Sequence, residues 1–238
     1  MILYLTSRLY NLLNLPAFID EAIHIRRARF SLSSAIPTGK WLSIALIKML
    51  IEVLPGNPLL TARLASVLCG SGTLIAVVLL GTRLYSKREG LIAGGLYVVT
   101  PYLFFYDRLA LTDGWMAMFG AYALLLSIVL VEGDSPWPSL LLMIALSAAI
   151  LTKVSAAPLV LMPVAAVFTL KQRREWLAAL ARIAPALFGV SLLLVALYLR
   201  DFGTGTIAGK IDQGQALADV FPLLRDNLTT VGEWVWML

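Results

Sequence analysis

Residues 17–30 read AFIDEAIHIRRARF and concentrate reactive side chains in a chain that is otherwise oily. Asp20 and Glu21 are adjacent carboxylates, His24 is the only histidine, and Arg26, Arg27 and Arg29 follow. A carboxylate placed this way can take the proton of an attacking hydroxyl. His24 lies four residues after Asp20 and three after Glu21, so on a helix the three share a face. That spacing allows a divalent metal near Asp20, Glu21 and His24, although a hydrogen-bonded histidine is the commoner outcome, and no metal ligand is assigned. The arginines alternate with Ile23, Ile25 and Phe30, a pattern suited to an amphipathic helix lying on anionic headgroups. Further charges stand at the ends of apolar runs: Lys40 in IPTGKW, Arg63, Arg108 and Asp113 in YDRLALTDGW, and Lys153 in ILTKVSAAP. Such charges are costly unless solvated or paired, which makes them site candidates. Arg63 and Lys153 also fit a plainer reading, snorkelling to the interface.

The elements that must carry these residues are membrane helices. The chain of 238 residues is 60% hydrophobic and 14% charged, against about half and a quarter in soluble domains. Uncharged runs cover 64–82, 90–106, 114–131, 135–152, 154–170 and 183–199, each about long enough to cross a ~30 Å hydrocarbon core as a helix. With the shorter segment MILYLTSRLYNLLNLP, which carries Arg8, the expectation is an all-α polytopic bundle of about seven spans. It forms a single domain: a first outer loop over 15–57 with amphipathic helices, a bundle over 58–200 and a second outer segment over 201–233. The short basic loops 86–89 and 171–175 read as cytoplasmic. Alternation then puts 132–138 on the same side, and 17–60, 107–113, about 153 and 200–230 outside. The net charge of +5 is read as topology and phosphate contacts, with no nucleic-acid partner. Cys69, alone in an apolar run, excludes a disulfide framework and reads as a small buried residue. No cleavable leader is evident. The start in mid-segment and the aromatic end EWVWML predict that part of the first helix and the C-terminal portion are missing. Asn227 opens a bare glycosylation sequon.

Acids and bases from four distant segments thus fall on one face of the membrane. A transporter or flippase for a lipid-linked or anionic solute, the alternative reading, more often buries charge near the midplane in broken helices. A noncatalytic subunit is a third reading. Clean run centres with charged outer ends favour chemistry at the outer leaflet.

The chain resembles the GT-C class of membrane glycosyltransferases, closest to the protein O-mannosyltransferase and aminoarabinose-transferase-like group. Four stretches carry the resemblance. Asp20-Glu21 falls where that family has an acid pair in its first outer loop. IPTGKWLSIAL resembles its HPPLGK-type segment, with Pro37, Gly39 and Lys40 kept and Ala35 and Ile36 replacing the family's histidine and first proline. ARLASVLCG, led by Arg63, resembles the start of its second helix. RLALTD, with Arg108 and Asp113, resembles its R…LD element. The resemblance implies an inverting transfer from a polyprenyl-phosphate-linked sugar to a protein, lipid or glycan acceptor. The implied setting is the outer face of a bacterial inner membrane. It implies Asp20 as base, Glu21 as its partner, Lys40, Arg63 and Arg108 on the donor phosphate, and Asp113, His24 and Lys153 in support.

Overall fold

The computed structural model of the chain describes residues 1–30, 39–54, 56–133, 135 and 137–203. Among the described residues every regular element is helical. They are α1 (Ile2–Leu9), α2 (Ile19–Phe30), α3 (Trp41–Val53), α4 (Pro58–Leu84), α5 (Lys87–Val99), α6 (Pro101–Tyr106), α7 (Thr112–Glu132), α8 (Trp137–Thr152), α9 (Met162–Leu170) and α10 (Trp176–Gly203). A 3₁₀ segment, Val154–Leu161, joins α8 to α9, and a short one, Arg173–Glu175, leads into α10. Two compact units result. Met1–Leu192 holds every residue discussed below; of Leu193–Leu238 the described part is the end of α10. The expected outer segment at 201–233, the sequon at Asn227 and the EWVWML end fall almost wholly outside the described residues, as do Ala35, Ile36 and Pro37.

Among the described residues three helices are long and apolar enough to cross a membrane: Pro58–Leu84, Thr112–Glu132 and Arg173–Leu197. The start of α4 is written locally. Asn57 accepts hydrogen bonds from the N–H groups of Leu59 (2.9 Å) and Leu60 (3.4 Å), and Pro58 occupies the first helical position, where a missing N–H costs nothing. The other apolar runs are shorter or broken. The run at 90–106 divides at Thr100, whose extended backbone (φ −64°, ψ 118°) precedes Pro101; proline disfavours helix at the residue before it and has no N–H to continue the ladder. The run at 154–170 begins as 3₁₀ around Pro158 and becomes α-helical only at Met162.

α7 packs along α4, α8 and α9, and α4 along α5. The α4–α5 seam depends on small residues. A Cβ on Gly81 would stand 2.7 Å from the Cα of Gly90, and one on Gly90 would stand 2.6 Å from the carbonyl oxygen of Val78. Close backbone approach of this kind supplies packing where no water drives helices together.

The charges sort to two ends. Arg83 at the end of α4 pairs with Glu132 at the end of α7 (2.8 Å), and Arg182 reaches the carbonyl of Gly133. The turns around 83–89 and 132–133 therefore share one end of the bundle. The opposite end brings together α2, Arg63, the 107–113 turn and Lys153.

Candidate functional site

Glu21 and Arg63 form the centre of this end. Both side chains are fully buried, and they face each other as a two-pronged pair: Arg63 Nε to Oε1 (2.8 Å) and Nη2 to Oε2 (2.7 Å). The N–H groups of Ala110 (2.7 Å) and Phe18 (2.8 Å) complete the carboxylate. The remaining guanidinium donors go to the carbonyls of Leu12 (2.8 Å), Leu15 (2.9 Å) and Pro16 (3.0 Å). All five N–H groups of Arg63 are spent, so it offers no donor to a phosphate, and Glu21 has no open edge toward Asp20 or an acceptor. The pair ties α2 and the turn before it to α4 and to the 107–111 turn. Burial alone would push the Glu21 carboxyl up, but Arg63 and the two N–H donors hold it below the usual carboxylate range.

His24, one turn further along α2, is also buried. Its Nδ1 lies 3.2 Å from the carbonyl oxygen of Ala110 and its Nε2 lies 3.4 Å from Lys40 Nζ. A carbonyl can only accept and an ammonium can only donate. The ring is thus neutral, with its proton on Nδ1 and its Nε2 lone pair toward Lys40. Burial and the nearby Lys40 and Arg27 charges lower its pKa, against the Ala110 hydrogen bond and Asp20. Glu21 and His24 grip the N–H and the C=O of the same residue, Ala110. The inward stripe of α2 is Glu21, His24 and Ala28, while Arg26, Arg29 and Phe30 remain exposed.

A metal shared by Asp20, Glu21 and His24 finds no donor set here. Glu21's oxygens and both ring nitrogens are committed, and no group of three metal-binding side chains gathers among the described residues.

The other candidates lie nearer the surface. Asp20 is exposed and has no hydrogen-bond partner among the described residues. Lys40 follows Gly39, whose backbone (φ +64°) lies in the left-handed region. The Gly39 carbonyl accepts the N–H of Val154 (3.1 Å), which ties this turn to the end of α8. Arg108 donates from Nη2 to the carbonyls of Tyr10 (2.8 Å) and Asn11 (2.9 Å), while its Nε has no partner among the described residues. Asp113 pairs with Lys153 (2.7 Å), and both partners are substantially exposed.

A second buried cluster escaped the sequence reading. Asp107 accepts from the hydroxyls of Tyr4 (2.9 Å) and Tyr97 (3.3 Å), and Arg8 Nε stands 3.7 Å from it, beyond hydrogen-bond range. Burial raises the Asp107 pKa, while Tyr4, Arg8 and Tyr97 pull against that rise. Gly70 of α4 makes room for this group: a Cβ there would collide with the Tyr4 hydroxyl and stand 2.8 Å from Asp107 Cγ. The signal was present in the sequence, because Arg8 is a lone charge in an apolar helix.

An all-helical bundle with helices apolar enough to cross a membrane fits a GT-C-type glycosyltransferase. The family description "Dolichyl-phosphate-mannose-protein mannosyltransferase" matches residues 37–199, more than half of the chain, and the chain belongs to that family. The match includes Lys40, Arg63, Arg108, Asp113 and Lys153; α1 and α2 precede it. No curated protein and no solved structure gives a match.

Proposed function

We propose that this protein transfers a sugar from a polyprenyl-phosphate donor to an acceptor hydroxyl at the outer face of the membrane, with inversion at the anomeric carbon. Asp20 takes the acceptor proton as the acceptor oxygen bonds to the anomeric carbon. The bond from that carbon to the donor phosphate oxygen breaks, and the phosphate leaves with the electron pair. Lys40 and Arg108 stabilise the departing charge. Glu21 and Arg63 act as positioning residues, and His24 sets the direction of Lys40.

The observation that carries this reading is the contrast within the acid pair. Glu21 is spent on structure, while its neighbour Asp20 is exposed and without a partner among the described residues, on a helix clamped at two points to the turn that carries Arg108. Family membership supports the reaction class. The outer face rests on the basic loops 86–89 and 171–175, at the end of the bundle away from α2. The test is transfer in proteoliposomes with radiolabelled polyprenyl-phosphate sugars. Asp20→Asn is expected to abolish transfer with donor binding kept, and Arg26→Ala to leave transfer unchanged. Transfer surviving in Asp20→Asn would sink the assignment of the base.

A further inference from the structure

Arg8 lies outside the chemistry above, and its environment is incomplete. It is fully buried, with its guanidinium 4.8 Å from the Tyr4 ring centre and 4.7 Å from that of Phe104. Nη1 donates to Ser7 Oγ (3.1 Å) and to the carbonyl of Val98 (3.0 Å), one of those freed by the break at Pro101. Among the described residues Nε, 3.7 Å from Asp107, and Nη2 have no hydrogen-bond partner. On the same Phe104 ring sits Arg108, 5.3 Å from the centre, and its Nε also has no partner among the described residues. A buried donor left unpaired costs stability, and more when it is charged. With Asp107 ionised, the two arginines and one carboxylate sum to one positive charge (+1 +1 −1), and protonating Asp107 makes the group more positive still. The cluster calls for an anion.

The space beside it is shaped for an amphiphile. A cavity of about 370 Å³ is lined by Ser7, Arg8, Pro101 and Phe104 together with Leu3, Val98 and Val99. The last three also line a second, apolar groove of about 490 Å³, bounded by Leu74 and Val78 of α4 and by Leu91, Gly94 and Gly95 of α5. From residue 91 to 99 the groove follows α5 for about 12 Å, at ~1.5 Å per residue. Its rim is turned outward: Leu3 and Leu91 are each 68% exposed. The charged end and the apolar end are thus contiguous and open to the bilayer.

We propose that this cleft is a binding site for one anionic phospholipid of the surrounding bilayer. Its phosphodiester lies against Arg8, where a single negative charge balances the cluster. One acyl chain lies in the groove between α1, α4 and α5.

Native mass spectrometry tests this, on the protein released from nanodiscs holding equal amounts of phosphatidylglycerol, phosphatidylethanolamine and diacylglycerol. The expected result is one retained phosphatidylglycerol, favoured roughly tenfold over each of the others, a difference of about 1.4 kcal/mol. Two variants separate head from chain. Arg8→Gln removes the charge. Gly95→Leu fills the groove at a position where a Cβ meets nothing within 4 Å. Each is expected to lower retention roughly tenfold, with thermal unfolding in detergent showing that the variant is folded. Should Arg8→Gln fail to fold, Gly95→Leu decides alone. Equal retention of the three lipids, or unchanged retention in Gly95→Leu, overturns the proposal. So does displacement of the lipid by millimolar inorganic phosphate, which would make the cluster a site for a free anion.

Discussion

Glu21 and Asp20 are neighbours of the same type with opposite fates, and substitutions should separate them. Asp20→Asn is expected to lower the transfer rate by about 10²–10⁴-fold, the usual contribution of a general base, without moving the unfolding temperature. Glu21→Ala or Arg63→Ala leaves its partner buried and uncompensated and is expected to cost about 3–5 kcal/mol of stability, read as a fall in the unfolding midpoint in detergent. A loss of donor affinity in a fully stable Arg63→Ala protein would count against the anchoring role. The pH response follows from the same groups. The Glu21 pKa is lowered in the fold, so its pairing contributes stability above the unfolded value of about 4.3, and that stability is lost as pH falls through the folded value. The His24 pKa is also lowered, because the folded ring stays neutral where the unfolded one charges. Stability therefore declines as pH drops below about 6.5, the ordinary histidine value, and continues to decline toward the folded value. His24→Gln should remove that part of the slope in a pH series of thermal melts while leaving the Glu21 part.

At the level of elements, Gly39 is where local backbone and site meet. A Cβ there would stand 2.6 Å from Val154 Cγ2, in addition to the strain of positive φ. Gly39→Ala is expected to displace Lys40 from His24 and to weaken donor binding more than it lowers the unfolding temperature, measured by donor titration beside a melt. Much of the scaffold was legible in the sequence. The uncharged runs at 64–82 and 114–131 became α4 and α7 because nothing in them interrupts the helical ladder. The runs at 90–106 and 154–170 were long enough to read as single spans, but Pro101, Pro158 and Pro163 divide them. The partners of the candidate residues were not legible. Glu21 meets Arg63 across 42 positions and Ala110 across 89, and no period in a sequence encodes such a pairing. The spacing of Glu21 and His24 put them on one face of α2, and the buried stripe is polar there because the two side chains satisfy the N–H and C=O of Ala110.

At the largest scale, within Met1–Leu192, the described charges gather toward two opposite ends of the helices. Cys69 is buried, so single cysteines introduced at the surface can be labelled against a quiet background. Ser86→Cys and Lys171→Cys are expected to react with an impermeant maleimide from one side of sealed vesicles, and Asp113→Cys from the other. Labelling of all three from one side would overturn the proposed orientation. The clamp on Ala110 reaches further than stability. Glu21 and His24 meet the two polar ends of one residue in a turn distant in sequence. Sliding α2 by one residue would rotate it by about 100° and forfeit both bonds together. The helix therefore has a single admissible phase about its own axis, and the bearing of Asp20 is inherited from the 107–111 turn. Whatever moves that turn steers the carboxylate.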